Sequence, residues 1–311
     1  MASPTGDQHA LTLSADGHEV RAQITQVGAA LRTLTLDGEH LTEPYGNDVP
    51  TPQANGLVLV PWPNRIDDGM WILDGQQQHL DISEPRHHNA IHGLLRFTAY
   101  DVVERSDAAV TLHADVFPQH GYPFHLDTRV TYALHVDGIE VIHRIVNVGS
   151  RRAPVAIGAH PYLRLGDLPL EVLTLTVAAE TRFESTKRMI PFVESPVDGT
   201  DYDLRAGKPL ATLKLDDAYG DVTHVDGIGV HALEASDGRR VELWQDDSFG
   251  FVQVFTPRNY PRSPRPGLAV AIEPMTSPPN AFVTKRSLRW LDPGEEWTAR
   301  WGIRHVARSD D

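Results

Sequence analysis

Short alternations of apolar and polar residues dominate the chain. VTLHADVF (Val110 to Phe117), RVTYALHV (Arg129 to Val136) and IEVIHRIVNV (Ile139 to Val148) each send every second side chain to one face. That is the period of a half-buried strand. EWTARWGIRHV turns Trp297, Ala299, Trp301 and Ile303 to a common side. Arg239 to Gln245 and Phe249 to Pro257 read as a further strand pair. Eight Asp-Gly dipeptides, beginning at Asp16, Asp37, Asp68, Asp74, Asp137, Asp198, Asp226 and Asp237, punctuate these runs. Asp-Gly suits type I′ hairpin turns, where both central residues take positive φ. Asp137-Gly138 stands between two alternating runs and predicts a hairpin. With 23 prolines and 24 glycines spread along the chain, few windows can hold a long amphipathic helix. The pattern predicts an all-β fold, a large antiparallel β-sandwich or barrel. No repeat or linker divides it, so residues 1–311 read as a single domain.

Composition changes this picture little. Apolar residues make up 41% and charged residues 23%, the balance of a globular protein. The formal net charge of −14 argues against nucleic acid or an anionic membrane as the main partner. It also disfavours a polyanionic substrate and leaves neutral small molecules unaffected. The chain has no cysteine, which excludes disulfides, a thiolate nucleophile and a cysteine metal site. The N-terminal stretch lacks a basic region followed by an apolar one, and no apolar run approaches the ~20 residues of a membrane span. The expectation is a cytoplasmic protein, as a monomer or homodimer.

Four stretches carry candidate chemistry. In GLAVAIEPMTSPPNAF an unbroken apolar run, Leu268 to Ile272, meets Glu273 and then Pro274, which removes a ladder donor. A lone buried carboxylate is costly. VAIGAHPYLRLG repeats the design: an apolar strand closes on His160, followed by Pro161. A satisfied core histidine is the plainer reading, but two matched strand ends would bring His160 and Glu273 to one rim. A carboxylate and an imidazole there suit concerted proton transfer. Apolar walls would raise the pKa of Glu273, and the carboxylate neighbour would favour the imidazolium of His160. NGLVLVPWPNRIDDGMW presents Trp62, Asn64 and Arg65 after a strand, either toward a sugar or as a core tryptophan beside a structural Arg65 ion pair. RHHNAIHGLLRF holds His87, His88 and His92. The spacing of His88 and His92 fits a helical zinc pair, but Asn89 and Gly93 oppose a helix, so no metal is expected. Contact of His92 with a polar substrate fits better, with His87 and His88 as exposed loop residues. LKLDDAYGDV sets Asp216 and Asp217 before Tyr219, alternatively a solvated turn.

In this order, PWPNRIDDG, NAIHGLLR, GAHPYLRLG, LDDAYGD and AIEPMTSPPNAF resemble the aldose 1-epimerase (mutarotase) family, over roughly Asn55 to Phe282. The resemblance implies a galactose mutarotase-like β-supersandwich with a cleft across one sheet. It implies interconversion of the α and β anomers of an aldose, without cofactor or metal. Carried over to this chain, His160 would protonate the ring oxygen and Glu273 would take the proton of the C1 hydroxyl. Arg65, His92 and Asp216 would hold sugar hydroxyls, and Tyr162 would line the site. Asp217 stays open as an alternative to Asp216. Ala159 and Leu163 stand where aromatic residues are common in the family, which leaves the sugar unspecified.

Other readings make different demands. A glycoside hydrolase would use two carboxylates, such as Asp216 and Glu273, and would leave His160-Pro161-Tyr162 unexplained. A sugar-phosphate mutarotase needs a basic cluster, which Arg258, Arg262 and Arg265 of the proline-rich excursion PRNYPRSPRPG would have to supply. A sugar-binding domain without turnover would share the fold but not the rate enhancement.

Overall fold

The computed structural model describes residues 3–262 and 264–308. The ends of the expected 1–311 unit and Ser263 of the proline-rich excursion lie outside the described residues. Among the described residues the α-helical content is one short turn, Ala281–Thr284, and no helix is long and apolar enough to cross a membrane.

The predicted alternations become strands with the expected facing. Ala109–Val116 buries Val110, Leu112, Ala114 and Val116, and Glu296–Val306 buries Trp297, Ala299, Trp301 and Ile303. They belong to a ten-stranded antiparallel sheet. Its order runs Asp101–Arg105, Ala109–Val116, Leu126–His135, Gly138–Asn147, Glu296–Val306, Arg240–Asp246, Ile228–Glu234, Thr174–Val177 and Lys208–Pro209, with His224–Val225 paired beside Ile228–Glu234. A seven-stranded sheet runs Pro191–Pro196, Ala179–Ser185, Asp216–Val222, Phe251–Phe255, Ala271–Met275, Gly158–Ala159 and Val58–Leu59. A four-stranded sheet built from Gln8 to His40 completes the main layers. One apolar core joins all three: Leu11 and Val20, Val130 and Tyr132, and Val252 and Ile272 belong to the same buried cluster. Burial of these faces is the main drive for the fold.

Three local expectations are corrected. Arg240–Asp246 and Phe251–Phe255 do not pair; they lie in the ten- and seven-stranded sheets respectively. The connector between them crosses from one layer to the other, held where Gln245 Nε2 donates to the Phe249 carbonyl at 2.6 Å. Asp216 and Asp217 open a strand rather than form a turn. The Asp137-Gly138 hairpin exists, but neither residue has positive φ: His135 pairs with Gly138, so the glycine is already in the strand. Glycine serves there by size, since a Cβ would sit 1.9 Å from the Ile303 carbonyl oxygen. At Asp16, Asp37, Asp68, Asp74 and Asp226 both residues of the dipeptide have positive φ, as type I′ geometry requires. At Asp198 and Asp237 only the glycine does.

Candidate active site

The seven-stranded sheet sets the floor of a polar cavity through its register. Asp216 pairs with Phe255, Gln253 with Glu273, and the segment after Gly158 runs beside the Glu273 strand. Directly opposed residues of an antiparallel ladder share a face. Asp216, Phe255, Gln253, Glu273 and His160 therefore stand on one side, although the sequence separates them widely. Their cavity has a volume of about 300 Å³ and is also walled by Gln53, Ala54, Asn64, Arg65, Glu84, His92 and Arg96. That is the small end of the range for ligand pockets.

The two residues that end apolar runs do meet. His160 Nε2 lies 3.3 Å from Glu273 Oε1, and both side chains are nearly inaccessible. Pro274 does not end its strand, which continues to Met275. The donors of Ile272 and Thr276 bond the carbonyls of Pro161 and Ile157, and Pro274 omits the one between them, beside His160. Two buried polar atoms of the pair, His160 Nδ1 and Glu273 Oε2, have no hydrogen-bond partner within the protein. Orphaned buried groups are rare and call for an explanation.

Burial disfavours charge on both members. It raises the Glu273 carboxyl well above its ordinary value, with the nearby Asp216 adding to the rise and Arg65 opposing it. It pushes His160 down to about 4, with Arg65 contributing. The expected preference for an imidazolium is thus corrected: desolvation outweighs the carboxylate neighbour. A single proton on the pair leaves it uncharged when it sits on the carboxyl, and transfer across the contact converts it to imidazolium and carboxylate.

The other candidates surround this pair. Arg65 donates to both oxygens of Glu84, at 2.8 and 2.9 Å, and its Nη2 lies 4.0 Å from Asp216 Oδ2. The structural ion pair and the position on the cavity are both true of it. Asn280 fixes its strand, accepting from the Asp67 N–H at 3.0 Å and donating its own N–H to the Arg65 carbonyl at 2.7 Å. His92 Nδ1 accepts the Asn64 N–H at 3.3 Å, so the ring proton is on Nε2. Burial, then His160 and Arg65, hold its pKa well below the usual value, which makes it a neutral donor. Gly93 follows because a Cβ there would sit 2.1 Å from the Val60 carbonyl oxygen.

Asp216 faces the cavity, whereas Asp217 points to the opposite face and is bound by Arg182 at 2.6 Å. Strand alternation separates the two. Burial raises the Asp216 pKa, and Arg65 counters the rise. Tyr162 stands one layer back from the cavity: its ring stacks on His160 at 5.2 Å and 22°. Trp62 is core, packed edge-on to Phe282 at 5.4 Å, and presents no face to a ligand. His88 is exposed as expected, while His87 is partly covered and contacts Glu84 at 3.0 Å.

The sequence reading missed Gln253, Glu84 and the left-handed wall. Gln253 accepts from Asn64 Nδ2 at 3.2 Å and donates to Asp216 Oδ1 at 2.7 Å, linking two sides of the site. In FGFVQVFTP it looks like any polar residue of an alternating strand; only the register opposite Glu273 reveals it. Gln53, Ala54, Asn64 and His92 all have φ between 44° and 61°. Non-glycine residues rarely adopt such angles, and they cluster at functional sites.

The family model for aldose 1-epimerase matches residues 9–304. The uncharacterised protein YihR of Escherichia coli (strain K12) is 32% identical over 286 residues, covering 91% of this chain and 90% of that protein. Galactose mutarotase of Rattus norvegicus is 32% identical over 181 residues, 55% of this chain and 49% of that protein. The solved structure of the GalM/aldose epimerase homologue from C. elegans superposes with a TM-score of 0.82 at 17% identity, covering 96% of this chain and 99% of that one. Sharing that fold and matching the family model along nearly its whole length, the chain belongs to the aldose 1-epimerase family.

Proposed function

We propose that this chain interconverts the α and β anomers of a hexose such as glucose or galactose, with His160 and Glu273 as its proton carriers. The observation that carries the reading is the buried contact itself, an imidazole and a carboxyl 3.3 Å apart on the wall of the cavity. Glu273 as carboxylate takes the proton of the C1 hydroxyl. The C1–O5 bond breaks with its electron pair going to O5, which His160 protonates. The open aldehyde rotates about C1–C2, and the reverse steps close the ring on either face. Mutarotation is acid–base chemistry that water already supports, so positioned proton donors and acceptors suffice, without metal or cofactor. The pair reaches its carboxylate–imidazolium state when its single proton passes from Glu273 to His160; ring opening then moves one proton from the C1 hydroxyl to Glu273 and one from His160 to O5, and closure runs both transfers back.

Arg65, the His92 Nε2–H and Asp216 orient the sugar hydroxyls in this reading, with Gln253 setting the angle of Asp216. Tyr162 serves as a backing for His160. The rat galactose mutarotase supports a hexose over other aldoses. Against the phosphorylated alternative, Arg258 is engaged by the carbonyls of Ala211 and Leu213 and Arg262 by Glu43, which leaves Arg265 as the exposed member of the basic cluster it would need. The same reading takes residues 1–311 as one unit acting in the cytoplasm on a small neutral molecule, consistent with the acidic charge balance.

Polarimetry on freshly dissolved α-D-glucose and α-D-galactose tests it, against a buffer blank. A faster approach to the same final rotation supports the proposal. No acceleration with either sugar rejects a hexose mutarotase, and saturable sugar binding without acceleration would make the chain a binding domain. Arg65→Lys keeps the charge but loses the two-pronged grip on Glu84, so KM should rise about tenfold with a smaller change in kcat. Equal loss of kcat at unchanged KM would remove Arg65 from ground-state binding.

A further inference from the structure

Glu43 lies outside every motif read from the sequence, yet its carboxylate is almost fully buried, the side chain only 1% exposed. Burying it requires partners. Arg262 donates through Nε to Oε2 at 3.0 Å and through Nη2 to Oε1, and Arg164 Nη1 donates to Oε2 at 3.5 Å. The backbone of the same residue is gripped on both sides. Its N–H donates to the Tyr162 carbonyl at 3.0 Å, and its carbonyl accepts Asn55 Nδ2 at 2.8 Å. Asn55 Nδ2 also donates to Tyr260 Oη at 2.7 Å.

Each of the tied segments bears part of the site. The first runs from His160 to Arg164. The second holds Gln53 and Ala54, which wall the cavity. The third is the proline-rich loop that joins the Gln253 strand to the Glu273 strand. The loop's Tyr260 packs on Tyr162 at 4.8 Å between ring centres, and Tyr162 stacks on His160. Gln53 Nε2 donates across to the Asn259 carbonyl at 3.4 Å. A buried carboxylate–guanidinium pair is a weak source of stability, because desolvation offsets much of the attraction. Its directional bonds do select one arrangement of the groups they join.

We infer that Glu43 is a positioning residue: by clamping the Tyr162 backbone, Asn55 and the Arg262 loop together, it holds the Tyr260–Tyr162–His160 stack so that His160 Nε2 stays on Glu273. The role presupposes the acid–base use of that pair proposed above, and it assigns the proline-rich loop a structural part in the chemistry.

Glu43→Gln and Arg262→Leu test it, alongside the unaltered protein. Four quantities are measured: kcat and KM by polarimetry, the imidazole ¹⁵N signals of His160 (identified by their loss in His160→Ala), and the urea midpoint. Displacing a proton carrier by a fraction of an ångström should lower kcat about tenfold while KM stays within about twofold. The His160 signals should move, and those of His143 and His231, buried elsewhere, should not. Glu43→Gln leaves two guanidinium groups facing an amide and can fail to fold. Arg262→Leu removes only the loop anchor and keeps the test open. Wild-type kcat with unmoved His160 signals in a folded variant overturns the inference, even if the urea midpoint falls, since Glu43 would then serve stability alone. If the unaltered protein shows no mutarotation, the functional proposal fails by itself. The imidazole signals then decide alone: movement upholds the positioning role and no movement ends it.

Discussion

Glu273→Gln should lower the rate of anomer interconversion about a thousandfold, within the range that general acid–base catalysis supplies. His160→Ala should fall comparably, because in the proposed mechanism the two residues share one proton cycle. The glutamine variant separates catalysis from folding. In the folded protein Glu273 titrates above its unfolded value, so its contribution to stability is present below the ordinary carboxyl range and is lost as pH rises through the folded pKa. Near neutral pH the carboxyl therefore weakens the fold, and an amide of the same shape removes that cost. Glu273→Gln should be at least as stable as the parent at pH 7, with the gap closing toward pH 4. Urea titration and polarimetry on the same sample measure both. Near-native turnover in Glu273→Gln would dismiss this residue as the base.

Acid should unfold the protein through its interior histidines. Burial holds His143 at about 3 and His231 at about 4, both in the ten-stranded sheet and not in the sheet that floors the cavity. Each is held neutral by a specific bond: Trp301 Nε1 donates to His143 Nε2 at 3.0 Å, and the Ala178 N–H donates to His231 Nδ1 at 3.2 Å. An imidazole in the unfolded chain takes its proton near pH 6.5. A depressed folded pKa means the stabilisation is complete above about pH 6.5 and is lost as pH falls toward the folded value. His160 and His92 shift in the same direction, while the raised Glu273 and Asp216 shift oppositely and offset them. With more lowered histidines than raised carboxyls among these groups, the net expectation is a loss of stability between about pH 6.5 and about pH 5. His143→Gln keeps an acceptor for Trp301 and removes one ionisation, so its slope should be shallower by about 1.4 kcal/mol per pH unit at most. A stability that stays level across this range would contradict the buried neutral state of these rings.

The sequence carried the strands and the His160–Glu273 pair but not the register between them. Alternation in VTLHADVF or EWTARWGIRHV reports facing directly, because it is a local property of the pleat. His160 and Glu273 were legible because each is a titratable residue at the edge of an apolar run, followed by proline. Sheet membership is not local. Nothing within Arg239 to Pro257 says that the chain changes layers at Phe249, so adjacent runs looked like partners. The same limit hid Gln253, whose meaning comes from lying opposite Glu273. It also left Asp216 and Asp217 equivalent until the strand placed one on each face. Trp62 was ambiguous for another reason: aromatic residues suit a core and a sugar face equally, and composition does not choose between them. Glu43 could not be singled out at all, since the partners of its carboxylate lie more than a hundred residues away.

The strand Glu296–Val306 sits between Gly138–Asn147 and Arg240–Asp246, near the middle of the ten-stranded sheet. It is also the last strand of the described chain. During synthesis the two flanking strands leave the ribosome with facing edges unpaired, and each waits for a segment made later. Open edges of this kind recruit other chains. Until residues 296–306 are made, those two edges stay open to pairing with other chains. A transcript cut short there would yield two half-sheets, with no ladder across the middle to join them.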